Sequence, residues 1–68
     1  MEKIKISGDF IKLDSLLKFS GLCETSGHAK MEILDGNVFV NGEVCTQRGR
    51  KIHAGDIVSF DGAEIEVE

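Results

Sequence analysis

The 68-residue sequence has no tryptophan, no tyrosine and only two cysteines. It also lacks any apolar run approaching the ~20 residues of a membrane-spanning helix. Each absence removes a class of protein. The start, Met1-Glu2-Lys3-Ile4-Lys5, alternates charged and apolar residues, unlike the continuous apolar stretch of a secretory signal, so the expected location is the cytoplasm. Cys23 and Cys45 form no Cys-x-x-Cys pair, and with His28 and His53 they match no common zinc spacing. They read as free, buried or half-buried thiols, and no metal or other cofactor is expected. There is no nucleophile with a base at a recognisable spacing and no phosphate-cradling P-loop, so an enzyme is not expected.

Basic residues are missing from one end of the chain. From Ala54 onward there are five acids (Asp56, Asp61, Glu64, Glu66, Glu68) and no bases, so a net charge of −4 conceals a preceding segment with eight bases against seven acids. If the terminal segment forms an edge hairpin, its carboxylates lie away from any anion-binding face and the molecule is electrically two-sided. Three of the eight bases fall within four positions, Arg48-Gly49-Arg50-Lys51. At 41% hydrophobic and 29% charged residues, the composition is that of a soluble globular domain. A single domain over residues 1–68 is expected, with a core of roughly fifteen apolar side chains and no deep catalytic cavity.

Hydrophobic periodicity divides the chain. Ile4 and Ile6 alternate with polar residues over Lys3 to Ser7, which predicts a short strand. From Leu13 the period changes: Leu13, Leu16 and Leu17 fall on one face of a helix that runs to about Ser20, with Asp14 at its positive end and Gly21 at its stop. Thr25 or Ser26 caps a second helix carrying Ala29 and Ile33, which ends at Asp35-Gly36. The period then becomes two. Val38 and Val40 point one way and Phe39 the other, Asn41-Gly42 marks a type I′ hairpin turn, and Val44 and Thr46 continue the return strand. A second such turn, Asp61-Gly62, joins Ile57–Phe60 to Glu64–Val67. A strand, two helices and about four further strands make a small α+β domain.

The ordered set Lys12-Leu13-Asp14, Leu17, Gly21-Leu22, Ala29-Lys30, Ile33, Gly36, Val38, Val40-Asn41-Gly42, Arg50-Lys51 and Gly55-Asp56 resembles the RNA-binding domain first described in small-subunit ribosomal protein four, also called the αL RNA-binding motif. The resemblance covers about residues 10 to 62. The short length, Thr25-Ser26-Gly27-His28-Ala29-Lys30 and the Arg-Gly-Arg-Lys run are most similar to the stand-alone YaaA/YbcJ-like members. It implies two helices packed on a small bent antiparallel sheet, with RNA against the second helix and adjoining loops. The partner implied is structured RNA, ribosomal RNA or a ribosome assembly intermediate, bound by a monomer. The chain departs from the family at Gly27, where many members carry an arginine after the Ser or Thr that opens helix two.

The residues expected to meet RNA follow from charge and from this resemblance. Arg48, Arg50 and Lys51 offer cations to phosphates, with Gly49 letting the loop fold tightly. At the start of helix two, Thr25, Ser26, His28 and Lys30 supply donors around exposed backbone N–H groups, although capping competes for the same hydroxyls. Lys12 matches the basic position that opens the motif. Among the phenylalanines, Phe10 and Phe60 are assigned to the core and Phe39 to the surface, and Asn41 to turn geometry. A second reading is a protein-interaction adaptor of the same fold, docking through a sheet edge or Phe39; its motives are the acidic net charge and the missing arginine.

Overall fold

The computed structural model describes residues 1–68. In chain order the elements are β1 (Glu2–Ile4), β2 (Ile11–Lys12), α1 (Leu13–Phe19), α2 (Ser26–Leu34), β3 (Val38–Val40), β4 (Glu43–Val44), β5 (Lys51–Ile52), β6 (Ile57–Phe60) and β7 (Ala63–Val67). The helices form where the leucine spacing calls for them. Leu13, Leu16 and Leu17 of α1 and Ala29 and Ile33 of α2 are completely buried, and the two helices pack on each other. Ser20 caps the C-terminal end of α1, and Gly21 follows in the left-handed region at φ 84°. Thr25 is the N-cap of α2, and Asp35-Gly36 ends that helix.

Five strands form one sheet in the order β1-β7-β6-β3-β4. Both tight turns take the geometry that their sequences demand. Asn41 and Asp61 each have φ 52° and are followed by Gly42 and Gly62 at 86° and 82°, the paired positive φ angles of a type I′ connection. Inward-facing Val38, Val40, Val58, Phe60, Ile65 and Val67 of the sheet join the helix leucines in a core of 15 buried residues that contains no polar side chain. Cys23 and Cys45 are part of that core as free thiols. Burial, with a contribution from the Glu32 charge, raises the Cys23 thiol above its ordinary pKa.

The α+β layout of two helices on a small sheet is as expected, with several differences in detail. The sheet is mixed rather than wholly antiparallel, because β1 lies parallel to β7 (Glu2↔Ile65, Ile4↔Val67). The two ends of the chain meet there, a pairing without any local turn to announce it. The acidic β6–β7 hairpin is consequently interior to the sheet, flanked by β1 and β3, rather than at its edge. Five strands follow the helices, and β2 and β5 pair as a separate two-stranded ribbon. Ile6 and Thr46 fall outside the strands predicted to contain them. Phe60 is buried as expected, whereas Phe10 is 39% exposed. The neighbouring Ile11 takes the inward position in β2 and packs against the core, which leaves Phe10 outside.

Candidate nucleic-acid interface

Strand β5 continues the basic run, and its register decides which bases converge. Ile11 lies opposite Ile52 and Lys12 opposite Lys51. Ile52 is fully buried and Ile11 packs on the core, so the alternation of a strand sends Lys12 and Lys51 outward together. Like charges directly across a ladder are destabilising, and this pair persists without a carboxylate to relieve it. The backbone of the run is anchored on the start of α1. The Leu13 N–H donates to the Arg50 carbonyl (2.9 Å) and the Asp14 N–H to the Arg48 carbonyl (3.2 Å). Lys12, the N-cap, makes no side-chain capping bond, so these carbonyls satisfy amides that a helix start leaves unpaired. A turn closed by the Arg50 N–H on the Gln47 carbonyl (3.1 Å) carries Gly49. A Cβ at Gly49 would meet nothing within 4 Å and its φ is not left-handed, so the tight loop does not need a glycine there.

None of the eight lysines and arginines is ion-paired: the two ion pairs present are His28–Glu32 and His53–Asp56. Lys12, Arg48, Arg50 and Lys51 are all exposed. The Lys51 ammonium lies 4.9 Å from the centroid of the Phe10 ring, whose other neighbour is the tilted ring of His53 at 6.2 Å.

The start of α2 is organised differently. Thr25 Oγ1 accepts the His28 N–H at 3.0 Å, so its hydroxyl is committed to capping. Ser26 is exposed, and Lys30 is half-buried without an acidic partner. His28 is engaged by Glu32, Nε2 to Oε2 at 3.1 Å, while Asn37 Nδ2 donates to Glu32 Oε1 at 2.8 Å. Those two hydrogen bonds, Asn37 first, hold the Glu32 carboxyl below the usual range. The i,i+4 spacing of His28 and Glu32 was the signal that could have identified this partner. At Gly27 the only atom near an added Cβ is Thr25 Oγ1 at 3.8 Å, so a side chain could be accommodated there. No hydrogen bond or ion pair joins this group to the ribbon. The fold adds Lys12 to the run, which the sequence order alone does not.

A further constellation ties the hairpins together. Asn41, at its positive φ, also accepts the Ile57 N–H on Oδ1 (2.9 Å) and donates from Nδ2 to Asp56 Oδ1 (3.1 Å). Asp56 Oδ2 accepts the His53 N–H at 2.8 Å. The His53 amide, opposed in part by burial and aided by Asn41 and the charges of His53 and Arg50, lowers the Asp56 pKa. Asn41 therefore does more than permit a turn. Val-Asn-Gly and Gly-Asp, far apart in sequence, form one latch that fixes the turn leaving β5 against the β3–β4 hairpin.

Comparison with known proteins places the chain in a family. The S4 domain model matches residues 4–68, extending the resemblance of residues 10 to 62 in both directions. YbcJ of Escherichia coli K12 is 42% identical over 57 residues, covering 84% of this chain and 81% of YbcJ. RlbA of Bacillus subtilis, named as a probable ribosome maturation protein, is 36% identical over 59 residues, covering 87% and 83% of the two chains. The tyrosine–tRNA ligase of Ralstonia nicotianae is 38% identical over 56 residues, which span only 14% of that enzyme. The solution structure of YbcJ, described as revealing an αL motif involved in RNA binding, superimposes with a TM-score of 0.75 at 37% identity, covering 98% of this chain and 86% of that one. With its two helices, its sheet and its sequence matched along nearly the whole length, the chain belongs to the S4 domain family.

Proposed function

We propose that this protein is a non-catalytic RNA-binding module acting as a monomer in the cytoplasm, with ribosomal RNA or a ribosome assembly intermediate as its target. The observation that carries the reading is the β2–β5 ribbon: Lys12, Arg48, Arg50 and Lys51 lie on one anchored stretch of backbone and none of them is ion-paired. A like-charge pair kept at a cost in stability is understandable where phosphates complete it. Arginine engages a phosphate bidentately, lysine acts as a mobile point charge, and each phosphate neutralised releases counterions. Backbone contacts of this kind position the protein on the shape of a bent or junctional RNA rather than on its sequence. Ser26 and Lys30 at the start of α2 extend the grip, with Thr25 and His28 in supporting roles because their polar atoms are already engaged. The naming of RlbA as a probable ribosome maturation protein supports the ribosomal target.

The test is binding to ribosomal RNA fragments and ribosomal particles across salt concentrations, for the wild type and an R48A/R50A/K51A variant. Loss of three phosphate contacts lowers the slope of log K against log salt by about 2 to 3. A folded variant with unchanged affinity and slope would remove these residues from the interface. One observation favours the adaptor reading: Phe39 and Val44 are 41% and 54% exposed and lie directly opposite each other where β4 ends the sheet. Co-purification separates the two readings, since an RNA binder brings nuclease-sensitive material and an adaptor brings protein that survives nuclease.

A further inference from the structure

Three surface grooves cut into the molecule, and their linings differ in charge. One, between α2 and the β6–β7 turn, includes Glu32 and Asp61; another, beside β1 and β7, includes Glu2 and Glu64. The groove of about 450 Å³ lined by Lys5, Ile6, Ser7, Phe10, Ile11 and Phe19 contains no carboxylate. Its volume lies within the ~300–1,000 Å³ of small-molecule sites. Scattered exposed phenylalanines are ordinary on a protein surface, but here Phe10 (39% exposed) and Phe19 (67% exposed) face one groove together with two isoleucines. The groove also adjoins the basic ribbon: Ile11 precedes Lys12, and Lys51 lies over the Phe10 ring.

We infer that this groove receives one unpaired nucleobase of the bound RNA, stacked against Phe19 and Phe10, while Lys5, Lys12 and Lys51 hold the phosphates on either side. The inference rests on the RNA-binding reading and narrows it: the preferred RNA carries a bulged or flipped-out nucleotide beside the helical segment that the ribbon grips. An apolar, aromatic floor with a cationic rim suits a base attached to its phosphates. A base is also sequence-tolerant here, since the groove offers ring surface and only Ser7 as a neutral polar side chain. A hydrophobic side chain of a protein would fill the floor and leave the lysines unmatched.

The experiment compares two RNA duplexes identical except for a single-nucleotide bulge, with the wild type, F19A and F10L. Both substitutions fall on exposed rings, and leucine at position 10 keeps apolar contact while removing the π face. The wild type is expected to bind the bulged duplex about 5- to 150-fold more tightly, the range that loss of one base–aromatic stack produces. F19A is expected to lose most of that preference while keeping wild-type affinity and salt slope on the fully paired duplex, and F10L to lose it with a smaller, equal change on both duplexes where Lys51 no longer rests on the ring. The chain contains four Phe and two His as its only aromatic rings, so NMR can follow the Phe19 ring protons, which should shift with bulged RNA alone. Equal affinity of the wild type for both duplexes overturns the base pocket and leaves RNA binding standing. Failure to bind either duplex or any ribosomal RNA fragment overturns both readings. Self-association that F19A abolishes assigns the groove to a second copy of the chain and overturns the pocket as well.

Discussion

Replacing Asn41 by glycine isolates the latch from the turn. Glycine adopts the φ of 52° at no steric cost, so Asn41→Gly keeps the type I′ geometry and removes only the two side-chain bonds, from the Ile57 N–H and to Asp56. A neutral hydrogen bond contributes about 0.5–1.5 kcal/mol net, and one to a charged group about 1.5–3. Since Asn41 is exposed, the lower end of each range applies, which gives a loss of about 2 kcal/mol. The extra freedom of glycine in the unfolded chain adds up to about 1 kcal/mol. For a domain of this size, about 2 kcal/mol lowers Tm by roughly 8–16 °C. Thermal unfolding followed by far-ultraviolet circular dichroism reads the shift, and amide hydrogen exchange at His53 and Ile57 reads the local opening. Asn41→Asp serves as the comparator: it keeps an acceptor for the Ile57 N–H but sets a second carboxylate against Asp56, and should be at least as destabilised. A Tm for Asn41→Gly within a couple of degrees of wild type would show that the turn alone accounts for Asn41.

The remaining predictions concern charge. The lowered pKa of Asp56 means that its bonds stabilise the fold fully above the unfolded carboxyl value near 3.9 and are lost as pH falls from there through the lower folded value. Chemical unfolding from pH 6 to 2.5 should therefore fall more steeply for wild type than for Asp56→Asn, whose own stability at neutral pH is reduced by loss of the charged acceptor. Lys12→Glu replaces a like-charge cross-strand pair with an opposite one and should raise stability by a few tenths to about 1 kcal/mol while weakening RNA binding, seen by pairing thermal melts with a binding titration. Gly27→Arg places a good helix former in the first turn of α2, where space is open, and should gain up to about 1 kcal/mol in thermal stability. The same variant should bind RNA more tightly and with a steeper salt slope, because it supplies the cation that many relatives carry at this position.

What the sequence disclosed about this fold depended on range. Leu13, Leu16 and Leu17 specify a buried helix face within two turns, Thr25 caps within three residues, and Asn41-Gly42 and Asp61-Gly62 specify turns within two, so these elements were legible. The β2–β5 ribbon was not, because two residues per strand show no period and their partners are about forty positions apart. The parallel β1–β7 pair escaped for the same reason, with no turn between its strands. The candidate site follows the same rule. Arg48, Arg50 and Lys51 form a run that composition exposes, while Lys12 joins them only through strand register. The assignment of Phe10 to the core erred for a related reason: in a strand of two residues, either side of the alternation is open until the partner strand is known, and Ile11 took the inner place.

Strand register also explains how an acidic chain keeps a set of free cations. The carboxylates nearest the functional elements are engaged by N–H donors rather than by lysine or arginine. Asp14 Oδ1 accepts the Ser15 N–H at 2.8 Å, Asp56 takes the His53 amide and Asn41, and Glu32 takes His28 and Asn37. For Asp56 and Glu32 the largest lowering of the pKa comes from an uncharged N–H donor, the His53 amide and the Asn37 side chain, with the charges of Arg50 and the histidines adding less. Acids so used hold turns and helix ends, and the lysines and arginines are left without an ion pair. A net charge of −4 is thus the sum of two populations with different tasks, and it is the local arrangement around β2 and β5, not that sum, that bears on whether a polyanion can dock.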